Sequence, residues 1–266
     1  MFGTARPWNK GRHPASRGAA ALAAAWLLLA PAPALSQASQ RLTGSVTLYG
    51  WLPAVDADMT STQGGVTDKA SFSAGDLIDN LDAALFGTAE VRQGRVGALV
   101  DVVYTSLSNG QNTGGPFATR VDGDLSLLLV TTAASYRVYG SGTTYADILA
   151  GGRFNRADIG ITTSRDVPVR TSRAAGGDRA WFDPLIGIRV GADITERLAV
   201  RAVADIGGFG VGSELTYEVL ASLSYAITPG ISAVLGFRYI AIDYEGDRAK
   251  LDLKMYGPTL GLTIGF

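Results

Sequence analysis

Tyr256-Gly-Pro-Thr-Leu-Gly-Leu-Thr-Ile-Gly-Phe266, the last eleven residues, decides the fold. Counting back from Phe266, every second residue is Ile264, Leu262, Leu260, Pro258 and Tyr256. Those between are Gly265, Thr263, Gly261, Thr259 and Gly257. Successive side chains of a strand point to opposite faces, so this strand has one apolar face and one face of glycine and threonine.

The same period of two runs upstream. Leu215, Tyr217, Val219, Ala221, Leu223, Tyr225 and Ile227 alternate with Glu218, Leu220, Ser222 and Ser224, and Phe182, Ile186, Ile188 and Val190 with Asp183, Gly187 and Arg189. Tight turn signals separate such runs at 92–95, 140–143, 195–197 and 228–230, where glycine and proline supply turn dihedrals cheaply. Longer polar connections fall near 52–82, 108–121, 157–180 and 245–250, and a short one near 208–213. Four turns on one side and five connections on the other require ten strands, near 41–51, 84–92, 95–107, 123–139, 144–156, 181–193, 197–208, 213–227, 231–244 and 251–266. Ser73 to Leu81 reads as a short helix in the first loop, entered through a Ser or Asp cap.

Ahead of these strands, residues 1–38 read as a cleaved secretory signal peptide. Arg6, Lys10, Arg12 and Arg17 precede an unbroken apolar run from Ala19 to Ala30, and small-residue cleavage sites follow at Ala34 or Ala38. A run of 12 is too short for a membrane helix, which needs about 20 residues. Four of the 23 basic residues leave with this segment, so the remainder carries 19 against 24 acidic residues, a net charge of −5. The single histidine, His13, leaves as well, and the chain has no cysteine. These facts argue against disulfides, thiolate metal sites, lipoprotein attachment and imidazole catalysis, and give nucleic-acid binding no basic face.

Many alternating strands suit either a soluble sandwich or a membrane barrel. The export signal, the Gly, Ala, Ser and Thr of the non-apolar face, and the short turns opposite long loops favour the second. The expected fold is all-β: one domain over 39–266, a transmembrane antiparallel up-and-down barrel of about ten strands, with eight or twelve still open. Turns would be periplasmic and loops extracellular. Trp51, Tyr104, Tyr139, Trp181, Tyr225, Tyr239 and Phe266 fall near strand ends, as interfacial girdles would, although Trp51 also suits the lumen.

In these features the chain resembles the small outer-membrane β-barrel proteins of Gram-negative bacteria. The C-terminal Tyr256, Leu260, Leu262, Ile264 and Phe266 are similar to that family's assembly signal. Leu48-Tyr-Gly-Trp-Leu-Pro53, the acidic first loop and Ala150-Gly-Gly-Arg-Phe154 resemble a subgroup of uncharacterised barrels. The resemblance implies chaperoned transit through the periplasm, insertion by the barrel assembly machinery, and contact with outer-membrane lipid and lipopolysaccharide. A monomer is expected.

Alternation places eleven charges on the inward face: Glu90, Asp101, Arg137, Asp147, Arg153, Asp183, Arg189, Arg201, Asp205, Glu218 and Arg238. Six acids against five arginines, with no lysine, point to a salt-bridged plug, because arginine bonds carboxylates bidentately and a selective pore favours one sign. A narrow porin-like channel through the same network is the alternative. Barrel enzymes of similar size (proteases, phospholipases, lipid A acylases) use a histidine that the processed chain lacks, so no catalytic site, cofactor or enzyme activity is expected. Asp56, Asp58, Asp68, Asp76, Asp79 and Asp82 crowd the first loop without the D-x-D-x-D-G spacing of a calcium loop, so no metal is expected. Arg165, Arg170, Arg173 and Arg179 read as solvated loop residues, with lipopolysaccharide phosphate as the other reading.

Overall fold

Two-residue hairpin turns set the register of the computed structural model. Gly94 (φ 60°) and Gly142 (φ 55°) each take the first turn position with a positive φ, the pattern of a type II′ turn whose twist matches its strands. The structure describes residues 41–61, 67–113, 119–165, 171–246 and 249–266. The segment read as a signal peptide lies outside them.

The strands are β1 (Leu42–Trp51), β2 (Ala54–Ser61), β3 (Thr67–Phe72), β4 (Leu81–Gln93), β5 (Val96–Thr113), β6 (Thr119–Ser141), β7 (Thr144–Arg165), β8 (Thr171–Asp193), β9 (Leu198–Gly208), β10 (Leu215–Thr228), β11 (Ile231–Glu245) and β12 (Ala249–Gly265). Ten of them pair antiparallel in the order β1-β4-β5-β6-β7-β8-β9-β10-β11-β12, and β1 closes on β12 from Ser45↔Gly265 to Trp51↔Thr259. The result is a closed ten-stranded up-and-down barrel. Closure leaves no sheet edge around its girth, which a strand structure in lipid requires.

Several expectations need correction. The first connection is not a plain loop: β2 and β3 form a hairpin that continues the sheet on β12 above Trp51, from Ala54↔Tyr256 to Ser61↔Ala249. The helix α1 is shorter than the span read from sequence, Ala74–Asp79, and Ser73 caps it in a full capping box with Asp76. The connections at 108–121 and 157–180 are largely strand, because β5–β6 pair out to Thr113↔Thr119 and β7–β8 out to Arg165↔Thr171. Arg165, Arg173 and Arg179 therefore belong to strands, and Arg170 lies outside the described residues.

The apolar face points outward. Leu48, Ile148, Ile186, Ile188, Leu235, Leu260 and Leu262 all stand at least half exposed, as do Ile264 and Phe266 at the C-terminus. Tyr256 shares that face, half-buried against Tyr239 at 6.1 Å between ring centroids. A continuous apolar exterior on a closed barrel is tolerable only against lipid. No helix among the described residues is long and apolar enough to cross a membrane; the strands are.

Apolar packing is inside as well, at the loop end. Trp51, Val103, Leu127, Leu129, Ile240, Ile242 and Met255 form one buried cluster. Several share the inward parity of a predicted charge: Val103 follows Asp101 by two residues, and Ile240 and Ile242 follow Arg238 by two and four.

Candidate functional site

The inward charges gather at two levels. Nearer the turns, Asp147 on β7 has Arg137 of β6 and Arg189 of β8 as its direct cross-strand partners. Arg137 Nε donates to Asp147 Oδ1 at 2.8 Å and Arg189 Nη2 to Oδ2 at 2.7 Å. From β4, Arg92 Nη2 adds a third contact to Asp147 at 2.8 Å. Glu90 receives Arg189 bidentately, at 2.7 and 2.8 Å. The Asp147 side chain is fully buried, and three guanidiniums are what make a buried carboxylate tolerable there.

The second level lies deeper toward the loops. Glu218 of β10 sits directly opposite Asp205 of β9. Two like charges facing across strands repel, and Arg153 reaches over from β7 to lie between them. Its Nη2 is 3.1 Å from both Asp205 oxygens and 2.6 Å from Glu218 Oε2. Its Nε and Nη1 donate to Thr131 and Thr216 at 3.0 and 3.1 Å. Arg238 completes the level: Nη2 donates to Asp101 Oδ1 at 2.8 Å, and Nη1 donates to the Tyr49 hydroxyl. Its Nε lies 2.9 Å from Glu218 Oε1, an attraction of charges without an aligned hydrogen bond.

Asp183 has a different role. Although Arg153 is its cross-strand partner, it takes no arginine among the described residues. Instead it accepts from Ser213 N at 2.6 Å, Ser213 Oγ at 2.9 Å, Asn155 Nδ2 at 2.7 Å and Trp181 Nε1 at 3.2 Å. These bonds latch the 208–213 turn, where Phe209 holds φ 52°, onto the barrel wall.

Arg201 departs from the expected network. Among the described residues it meets no carboxylate, and its Nε donates to the Tyr145 hydroxyl at 3.0 Å. Arg92, which sequence reasoning left in a turn, takes a place in the network instead. It shares the parity of Glu90, so carrying the alternation one step further along β4 would have found it. Trp51 is 4% exposed, and Trp181 packs on Tyr244 at 4.6 Å, so both tryptophans face inward and neither belongs to an outer girdle.

A cavity of about 340 Å³ occupies the turn-end half of the lumen. Its mouth is at Asp193, Ser224 and Ser232, which it shares with a surface depression over the 193–198 turn. Its deep end lies at the second charge level, at Asp101, Glu218 and Arg238. On the loop side of that level lies the apolar cluster of Trp51, Leu129 and Ile240.

In the first loop, Asp56 accepts from Ser71, Asp58 from Lys69, Asp76 from Ser73 and Asp82 from Ser108, so each is engaged in local structure. Asp79 sits at the end of α1, and the side chain of Asp68 is outside the described residues.

A barrel closed through β1 and β12, apolar outside and charged within, defines a membrane-spanning β-barrel. The outer membrane protease OmpT of Escherichia coli has a similar structure: TM-score 0.61, 13% identity, covering 87% of this chain and 99% of that one. OprG of Pseudomonas aeruginosa aligns at TM-score 0.37 and 9% identity, over 86% of this chain and 98% of its own. At such identities the likeness is one of fold. No protein-family model matches the sequence, and no curated protein shows significant sequence similarity.

Proposed function

We propose that the chain is an integral outer-membrane barrel with a largely closed lumen and a structural role in the cell envelope. In this reading residues 1–38 are removed on export at Ala34 or Ala38, the turns face the periplasm and the loops face outward. It resides as a monomer among outer-membrane lipid and lipopolysaccharide, without enzymatic activity, after periplasmic chaperones and the assembly machinery engage its C-terminal strand. One observation supports the closed lumen: among the described residues, Arg92, Arg137, Arg153, Arg189 and Arg238 at the two charge levels are tied to carboxylates, and an apolar cluster lies behind them. A charged pair alone leaves room for water, whereas an apolar filling leaves a solute no hydrated path.

A narrow channel is the second reading, favoured by the cavity that penetrates from the turn end to Arg238. Cell fractionation and liposome swelling test the proposal together. The protein should sediment with outer membranes and resist extraction without detergent, and vesicles containing it should not swell in small sugars. Recovery in the soluble periplasm overturns the membrane assignment, and swelling overturns the closed lumen.

A further inference from the structure

Arg201 is the inward arginine that the closed network leaves over, and its surroundings are specific. Tyr145, Gly191 and Arg201 form one register row across β7, β8 and β9. Because Gly191 has no side chain, the Tyr145 ring lies over it; a Cβ there would meet the ring at 2.5 Å. The ring carries Arg137 on its face at 4.2 Å and receives Arg201 Nε on its hydroxyl at 3.0 Å. Both arginines are thus held by one phenol at the vestibule wall. With Nε engaged, the two terminal nitrogens of Arg201 have no protein acceptor among the described residues, and they form the fork that binds a carboxylate bidentately.

Charge along the lumen is uneven. Arg92, Arg137, Arg189 and Arg201 outnumber Glu90 and Asp147 at the turn-end level by two. Of these, Glu90, Arg189 and Arg201 line the cavity together with exposed Asp193 at the rim, so the charges on its mouth-side wall balance. The deeper level of Arg153 and Arg238 against Asp101, Asp183, Asp205 and Glu218 has an excess of two negative charges. One step deeper than Arg201 and its cross-strand partner Ser222 the cavity lining is apolar, with Val203 on β9 facing Leu220 on β10, while Val234 on β11 pairs with Ser224 one step nearer the turns. An anion meets the open fork of Arg201 at the mouth and is repelled from the negative deep end, with an aliphatic surface in between. The volume of about 340 Å³ is at the small end for a ligand pocket, roughly 300–1,000 Å³.

We infer that this vestibule binds a small organic monocarboxylate, its carboxylate on Arg201 at the mouth and its short aliphatic body against Val203 and Leu220. One unengaged guanidinium fork matches a single carboxylate, and the apolar step disfavours a bare inorganic ion. The site opens at the turn end, which under the proposed orientation faces the periplasm, but its chemistry does not depend on whether the lumen conducts.

Isothermal titration of the purified barrel in an uncharged detergent tests the site, with sodium butyrate, butyramide and inorganic phosphate as probes. Butyrate should bind, and butyramide and phosphate should each bind at least tenfold more weakly. Arg201→Met should weaken butyrate at least tenfold while the barrel keeps its folded gel mobility, since among the described residues Arg201 bonds Tyr145 and no carboxylate. Ser222→Asp supplies a second variant, placing a competing carboxylate directly opposite Arg201; it should have the same effect without removing the arginine. The inference is overturned if butyrate gives no binding, if butyramide or phosphate binds as well as butyrate, or if a folded variant binds butyrate like the wild type.

Discussion

Replacing Arg153 by methionine probes the energetics of the lumen most sharply. The guanidinium is fully buried and lies between Asp205 and Glu218, which face each other on adjacent strands. Its removal leaves Glu218 with Arg238 and leaves Asp205 with no counter-charge in contact. Breaking a buried pair costs about 3–5 kcal/mol. The cavity reaches both carboxylates, so entering water lowers the cost to the bottom of that range, about 3 kcal/mol. That corresponds to roughly a hundredfold in the folding equilibrium. Adding Asp205→Asn removes the facing like charge and should recover about half of the loss, by the same reasoning. Urea unfolding in lipid vesicles, followed by the fluorescence of Trp51 and Trp181, reads both variants against wild type. A loss under about 1 kcal/mol for Arg153→Met, the scale of an exposed pair, or no recovery in the double variant, refutes the account of a desolvated network.

Three further outcomes follow from the geometry. Asp183→Ala removes the acceptor of four hydrogen bonds around the 208–213 turn; at about 1 kcal/mol or more for each buried donor left unpaired, limited proteolysis should cut at 208–212 while the wild type resists. Deleting Phe266 removes an exposed ring lying over Gly44 and two backbone bonds to Gly44, at 2.7 and 2.9 Å. It should lower the amount of assembled barrel in cells far more than the melting temperature of the barrel refolded in detergent; equal cellular levels would contradict this. The Ser73 hydroxyl and backbone N–H hold the Asp76 carboxyl below its ordinary range. A lowered folded-state pKa means the cap's contribution is present above about pH 4 and lost as pH falls through that lowered value. The protection factor of the Leu77 amide, its exchange rate set against the intrinsic rate at the same pH, should accordingly be high at neutral pH, fall in acid, and be low at all pH in Asp76→Ala.

Strand placement was legible because a barrel wall obeys one rule along its length. The turn at Gly142 and the run from Leu215 to Ile227 announce themselves by dihedral need and by parity. Inward parity likewise found Asp147, Arg153 and Arg238. Partner choice was not legible, since Arg189 reaches Glu90 across the lumen rather than along the wall, a distance that closure alone determines. Arg201 was grouped with the paired arginines because nothing in its strand shows that Tyr145, not a carboxylate, is in reach. The apolar cluster was hidden for a different reason. At Leu127–Val130 and Tyr239–Ile242 both faces are apolar, one turned outward and one inward, so the alternation that marks a membrane strand disappears there. The β2–β3 hairpin was concealed by its aspartates, whose neighbours Ser71, Lys69 and Tyr256 come from other strands.

Planar-bilayer recording of the purified wild-type barrel decides between a closed lumen and a pore. With the apolar cluster of Trp51, Leu129 and Ile240 beyond a cavity that ends at Arg238, insertion should give no steady ohmic current in molar salt at either polarity. A steady, reproducible single-channel conductance would contradict the closed lumen and make the vestibule the entrance to a pore.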